Sequence, residues 1–379
     1  MEPKYSLKDL CLYFLKLGAL GFGGPVALVG YMHRDLVVNR QWISEDEYRE
    51  GMALSQLAPG PLAAQLGIYL GYVHYGIIGA TLAGIAFVLP SFFMVMVIGW
   101  GYVEYGGLPW MQAVFYGVGS AVIGIITVSS YKLTTKSIGK DVLLWCIFIV
   151  LAITTFWFEQ EIIWLILLGG VVAWLVTAPP AWLRFPANGF VPLIILQAQV
   201  PTSEGKLWQL AWFFAKAGAF VFGSGLAIVP FLYGGVVKEF EWLNEQEFVD
   251  AVAVAMITPG PVVITVGFIG YLVGGFWGAT VAALATFLPC YLFTVLPAPY
   301  FKKYGKHPGI KAFVDGVTAA AIGAIAGAVV VLAQRTLTDV PTFIIAALTA
   351  AILFRFKRLQ EPYVIVAAAL VGLTLKAIL

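Results

Sequence analysis

Two Pro-Gly-Pro triplets, Pro59-Gly60-Pro61 and Pro259-Gly260-Pro261, interrupt long apolar segments 200 residues apart. The same spacing pairs Lys16 with Lys216, Phe22-Gly23 with Phe222-Gly223, Trp42 with Trp242, and Glu45 and Glu47 with Glu245 and Glu247. After a one-residue slip near Gly71 the offset becomes 199, matching Pro90 to Pro289, Gly117 to Gly316 and Gly124 to Gly323. The chain is one unit written twice. Proline and glycine end or kink helices, so any fold must hold paired breaks at equivalent places in both halves. Within membrane-grade sequence that combination marks a transport path.

That the sequence is membrane-grade follows from 61% hydrophobic and 11% charged residues and a mean hydropathy of +0.91, against roughly 45–50% and about 25% in soluble domains. Apolar stretches begin near Leu10, Met52, Ile77, Trp110, Val142, Ile162, Leu207, Ala251, Phe276, Ile310, Pro341 and Tyr363. The expected fold is an all-α polytopic membrane protein of about 12–13 transmembrane helices, broken at the Gly/Pro motifs. Its repeats are 1–177 and 207–379, joined by a connector, 178–206. Residues Met1 to Asp9 lack a cleavable signal pattern. Cys11, Cys146 and Cys290 have no metal-ligand or disulfide spacing, so no metal or cofactor is expected. A net charge of +2 without a basic stripe sets nucleic acid aside as a partner.

Loop charge predicts how the halves face. The connection between Tyr102 and Trp110 has no basic residue, whereas its counterpart after Pro299 carries Lys302, Lys303, Lys306 and Lys311. The next pair reverses, with Lys132, Lys136 and Lys140 against Arg335. The third reverses again, with none near Glu159-Gln160-Glu161 but Arg355, Lys357 and Arg358 in its partner. Cytoplasmic loops collect Lys and Arg, so a bias that flips between halves predicts inverted repeats. Inversion needs an odd number of crossings before the second repeat, and Phe185 to Val200 in the connector is the candidate. Parallel repeats with a non-spanning connector are the alternative.

Ser44 with Glu47, and Asn244 with Glu247, cap helices that run toward the triplets. Gly60 and Gly260 suit the next cap position, and Pro61 and Pro261 the first residue of a new half-helix. The early N–H groups of such a half-helix have no intrahelical partner, and its positive end suits an oxyanion. A second break precedes each triplet, Gly23-Gly24-Pro25 and Gly223-Ser224-Gly225. Lys16 and Lys216 stand two turns before it. If all breaks meet, four helix ends and two ammonium groups surround a site for a compact, doubly charged anion. The plainer reading of any single break is a packing kink, and of either lysine a side chain snorkelling to the interface.

Gln56, Gln65, Thr258 and Thr265 flank the triplets as substrate donors or as helix contacts. Asp315, within an apolar run, is a proton-coupling candidate or pairs with Lys311 one turn away. His33, Arg34, Asp35 and Arg40 follow the first break as a polar approach or a solvated loop.

These residues resemble the chromate ion transporter family in its long, two-domain form. The resemblance rests on Phe22-Gly23-Gly24-Pro25, Gly30-Tyr31, Trp42, Gln56, Pro59-Gly60-Pro61, Gln65, Gly67, Gly71 and Leu89-Pro90. In the second half it rests on Phe222-Gly223-Ser224-Gly225, Thr258-Pro259-Gly260-Pro261, Phe287-Leu288-Pro289, Pro297-Ala298-Pro299-Tyr300 and Asp315-Gly316. It implies a non-enzymatic secondary transporter of the inner or plasma membrane that exports chromate, driven by protons, giving chromate resistance, with a homodimer as a possible assembly. Sulfate, nearly isosteric, is the alternative cargo. Leu28, where the family has a His, and Ala58, where it has a bulkier residue, bear on substrate preference. A lipid-phosphate enzyme is the alternative of another class. It needs clustered acids, nucleophiles or metal ligands, and His33, His74 and His307 form no cluster in sequence.

Overall fold

The protein was analysed as a computed structural model, which describes residues 5–22, 24–105, 108–159, 162–179, 205–220, 228–304, 307–356, 359 and 361–378. Regular structure among them is helical. The first repeat comprises α1 (Leu7–Leu20), α2 (Gly24–Met32) with a π-helical turn (His33–Asn39), α3 (Glu45–Leu57), α4 (Leu62–Tyr105), α5 (Pro109–Ser137), α6 (Val142–Phe158) and α7 (Ile163–Thr177). The second comprises α8 (Lys206–Phe220), α9 (Ile228–Leu232) with a π-helical turn (Tyr233–Glu239), α10 (Glu245–Ile257), a 3-10 turn (Val262–Ile264), α11 (Thr265–Val295), α12 (Ala298–Tyr304), α13 (Pro308–Thr336), α14 (Val340–Arg355) and α15 (Glu361–Ile378). The duplication extends to local chemistry. Reciprocal capping boxes start α3 (Ser44, Glu47) and α10 (Asn244, Glu247). Both π turns end on a positive φ, at Gln41 and Glu241.

All twelve expected apolar segments lie on helices, but four of them enter the membrane and return. α1, α3, α8 and α10 have 14, 13, 15 and 13 residues. At about 1.5 Å per residue each is roughly 20 Å long, short of the ~30 Å hydrocarbon core. Since α7, with 15 residues, is equally short, the contacts of each limb and not its length mark the return. Tyr5, before α1, stacks on Trp42, beyond the π turn, at 4.7 Å, so the α1–α2 hairpin begins and ends on one face. Glu47 at the start of α3 bonds His74 (3.2 Å), and Gly51 packs on Tyr69, so α3 and the first limb of α4 form a second hairpin from that face. Gly76, at φ +58, then folds α4 on itself, with the backbones of Gly71 and Gly79 in contact. Limb 77–105 crosses. In the second repeat Gly275, at φ +60, makes the same turn and Gly270 meets Gly278.

Contacts between crossing helices fix the relative direction of the repeats. Gly323 and Gly327 of α13 sit against Phe148 and Ala152 of α6, so these helices run parallel. Tyr116 donates to Asp339 (2.7 Å), Gly124 meets Ala346, and Tyr131 meets Phe354, so α5 runs parallel to α14. Each of these pairs joins one repeat to the other. Since α5 and α6 are consecutive crossings, as are α13 and α14, α5 opposes its own counterpart α13. Gly119, early in α5, accordingly lies beside Thr336 at the end of α13. The repeats are inverted, and the parallel alternative does not fit. By this topology Ala178 and Gly205 lie on opposite faces. The candidate crossing between them falls in 180–204, outside the described residues.

The repeats also interlock. α13 packs on α6 and α7, and α5 on α14 and α15. Glycines at these crossings let backbones touch, as membrane helices require where side-chain burial alone drives little association.

Candidate functional site

The two triplets form the tips of the α3–α4 and α10–α11 hairpins, at the join of the repeats. Gly60 and Gly260 have φ +139 and +92, conformations that L side chains rarely adopt. Each tip is seated on the crossing helix of the other repeat. A Cβ on Gly60 would meet Cys290 of α11, and one on Gly260 would overlap Ser91 of α4. Ser91 and Cys290 are equivalent residues, each following a helix proline. Ser91 Oγ lies 2.7 Å from Pro259 O and 3.2 Å from Gly18 O, both acceptors for its one hydrogen. Gly260 N–H donates to Gly21 O (2.9 Å), so the α1 tip of one repeat touches the triplet of the other.

Pro61 and Pro261 sit one residue earlier than expected. α4 begins at Leu62, and Pro261 is the cap of the 3-10 turn. The first backward bond in the new limb is Gln65 N–H to Pro61 O (3.0 Å), which leaves the N–H groups of Leu62, Ala63 and Ala64 no acceptor in their own helix. Ala63 and Ala64 are buried. Positive helix ends thus lie inside the protein where an unsatisfied N–H costs several kcal/mol.

Among the flanking candidates, Gln65 is fully buried; its Nε2 donates to Pro59 O (2.6 Å) and its Oε1 has no protein partner. Thr258 and Thr265 donate to carbonyls of their own turns, and Gln56 is exposed. Gly24 has φ +70 and precedes Pro25, a helix cap followed by a helical proline. Gly23, Gly223, Ser224 and Gly225 lie outside the described residues. Among the described residues, neither lysine is hydrogen-bonded to a triplet. Lys216 lies by Trp212 (5.9 Å), and Lys16 faces a cavity of about 300 Å³ with Tyr13, Arg34, Asp35 and Arg40. Asp315 is on an exposed part of α13, one turn from Lys311.

Two features escaped sequence reasoning. Asp250, six residues into α10, is buried and lines a polar cavity of about 690 Å³. It accepts from Tyr102 of the opposite repeat (2.8 Å) and from Gln246 Nε2 (2.8 Å). The second is an ionic latch between repeats. Glu159, after α6, bonds Lys238 (2.7 Å) and Arg335 (3.2 Å), and these approach Glu245 at 3.7 and 3.6 Å. Among the described residues no group of three His, Cys, Asp or Glu could hold a metal.

The hydrogen bond from Lys238 and the charge of Arg335 hold the Glu159 carboxyl below its usual range. A depressed carboxylate stabilises above its unfolded value of about 4.3 and loses that contribution as pH falls through the lower folded value. At this exposure the Glu159–Lys238 pair is worth roughly 0.2–1 kcal/mol. Glu159→Gln should loosen the latch at neutral pH as acid loosens the wild type, read as faster thiol labelling of Glu239→Cys. Labelling unaltered by either change would contradict the latch.

A family model described as "Chromate transporter" matches residues 8–174 and 208–373. The chain is 66% identical over 375 residues to the chromate transport protein of Cupriavidus metallidurans, covering 98% of this chain and 94% of that one. It is 64% identical over 378 residues to the probable chromate transport protein of Synechococcus elongatus, covering 98% and 96%. The chromate transport protein of Pseudomonas aeruginosa is 31% identical over 393 residues, covering 98% and 93%. No solved structure matches the chain.

Proposed function

The chain belongs to the chromate transporter family, and from that premise we propose that it exports chromate across the cytoplasmic membrane by alternating access, driven by protons. The observation that carries this reading is the reciprocal seating of the triplets, Gly60 at Cys290 and Gly260 at Ser91. Each seat belongs to the other repeat, so rocking one repeat on the other moves both tips together. The inward-directed N–H groups behind the tips supply fixed positive dipole for a dianion without a metal or a covalent step.

The two faces differ in charge. Lys132, Lys136 and Lys140 by the end of α5 and Arg355 at the end of α14 gather on one face, which the excess of basic residues marks as cytoplasmic. The hairpins of the first repeat open there, beside the cavity that holds Lys16. The Glu159 latch lies on the opposite face, bridging the ends of α6 and α13 to the base of α10. The polar cavity of about 690 Å³ beside Asp250 lies on that same face, at the starts of α5 and α10. Proton coupling needs an acid that is buried yet reachable by water, and we assign it to Asp250 in place of Asp315.

Chromate uptake into everted vesicles carrying wild type, Gly60→Val or Gly260→Val tests the reading, with sulfate, molybdate and phosphate as competitors. Uptake that is absent in wild type, or untouched by both substitutions, would sink it.

A further inference from the structure

The cavity beside α1 is lined by side chains that the second repeat does not keep, although the chain around it is duplicated. In the first repeat it is lined by Tyr13, Lys16, Arg34, Asp35 and Arg40. In the second repeat, Lys16 keeps its counterpart in Lys216, while Tyr13 is replaced by Phe213, Tyr31 by Phe231, Arg34 by Gly234, Asp35 by Gly235 and Arg40 by Phe240. Those rings occupy the equivalent space. Phe213 stacks on Phe231 (5.1 Å), Phe240 stacks on Trp242 (4.6 Å), and Phe213 meets Phe240 edge-on (5.7 Å). Removing five polar side chains and closing the gap with aromatic ones turned a basic cavity into a packed wall.

What remains open in the first repeat is built for an anion. Arg40 is held by ring faces, 5.4 Å from the Tyr13 centroid and 4.5 Å from that of Trp42, a placement that orients a guanidinium without neutralising it. Arg34 is paired with Asp35 at 3.0 Å. Counting Lys16, Arg34 and Arg40 against Asp35 leaves two positive charges. Tyr13 is 6% exposed, and its hydroxyl is buried with no protein partner. A buried O–H without an acceptor costs about 1–3 kcal/mol, and Tyr13 is among the residues that line this cavity.

We propose that Tyr13, Lys16, Arg34 and Arg40 form a capture site for a divalent tetrahedral oxyanion on the face where the first repeat's hairpins open. Tyr13 and the cations donate to the anion's oxygens, and Asp35 holds Arg34 in place. The site rests on the transport reading and deepens it. Capture on that face favours loading from it. Gly21 and Phe22 also line the cavity, and Gly21 is bonded to Gly260, so the site adjoins the triplets. A phosphate headgroup has the same chemistry as a free oxyanion, and the test separates them.

The experiment measures equilibrium binding of radiolabelled chromate to purified protein in nanodiscs of phosphatidylcholine, with and without phosphatidylglycerol, and uptake into vesicles in parallel. Arg34→Gln with Arg40→Gln should weaken binding about a hundredfold, since each charge-assisted hydrogen bond is worth about tenfold. Tyr13→Phe, which copies the second repeat and keeps the packing, should weaken it roughly threefold. Arg49→Gln, an exposed control, should leave affinity unchanged. Equal chromate affinity in wild type, the double variant and Tyr13→Phe overturns the proposal. So does competition by phosphatidylglycerol that the double variant abolishes while its chromate binding stays intact, because the cavity then holds a headgroup. A binding difference that persists while wild type shows no uptake would instead leave the capture site standing and sink the transport reading.

Discussion

Valine at Gly60 or Gly260 should reduce chromate uptake by about two orders of magnitude or more while the protein still inserts. Both glycines hold a positive φ, and a β-branched residue there is strained by about 1–3 kcal/mol. The added side chain has nowhere to go. At Gly60 it meets Gln65 and Cys290, and at Gly260 it overlaps Ser91, adding roughly 1–3 kcal/mol of overpacking. The strain falls on tips that touch the opposite repeat, so it should be relieved by separating the repeats at their join and misplacing the helix ends behind the tips. Membrane-inserted protein, measured alongside uptake, separates this from loss of the fold. Wild-type uptake in both variants would contradict the role given to the tips.

Asp250→Asn should give the next largest effect. The substitution keeps the shape that Tyr102 and Gln246 recognise but removes the proton acceptor. Tyr102 comes from the first repeat and Asp250 from the second, so this hydrogen bond crosses the join that alternating access must shear. Site-to-site coupling free energies of about 1–3 kcal/mol correspond to roughly 5–150-fold, and uptake driven by a pH gradient should fall within that range. Exchange of internal for external chromate needs no net proton movement and should persist. Asp315→Asn, on the exposed part of α13, should change pH-driven uptake by less than about twofold. A normal pH-driven rate in Asp250→Asn would remove Asp250 from the coupling.

Much of this architecture was legible because the signals are local. Ser44, Glu47, Asn244 and Glu247 mark helix starts by side chains that bond their own first turns, and Gly-Pro breaks mark helix ends by backbone chemistry. The flipped distribution of lysines and arginines carried the inversion, since loop charge records sidedness. Depth was not legible. The stretch from Leu10 is as apolar as the crossing helix α5, so there hydropathy does not distinguish a limb that returns from one that continues. Partners across the join were also hidden. Ser91 and Cys290 share the repeat offset but matter only because each triplet crosses to the other repeat. Asp250 carries no spacing that singles it out, because its cavity is walled by α4, α5 and α15. Glu159, Lys238, Glu245 and Arg335 carry no shared spacing at all.

The account depends most on the two pairs of hairpins entering from opposite faces, and sidedness labelling tests that directly. In a background without Cys11, Cys146 and Cys290, single cysteines at Tyr105, Lys140, Tyr300 and Thr338 would be labelled with a membrane-impermeant thiol reagent in intact cells and in everted vesicles. The inverted arrangement predicts that Tyr105 and Thr338 label from one face, and Lys140 and Tyr300 from the other. Labelling of Tyr105 and Tyr300 from the same face would make the repeats parallel, and the paired anion path would have to be abandoned.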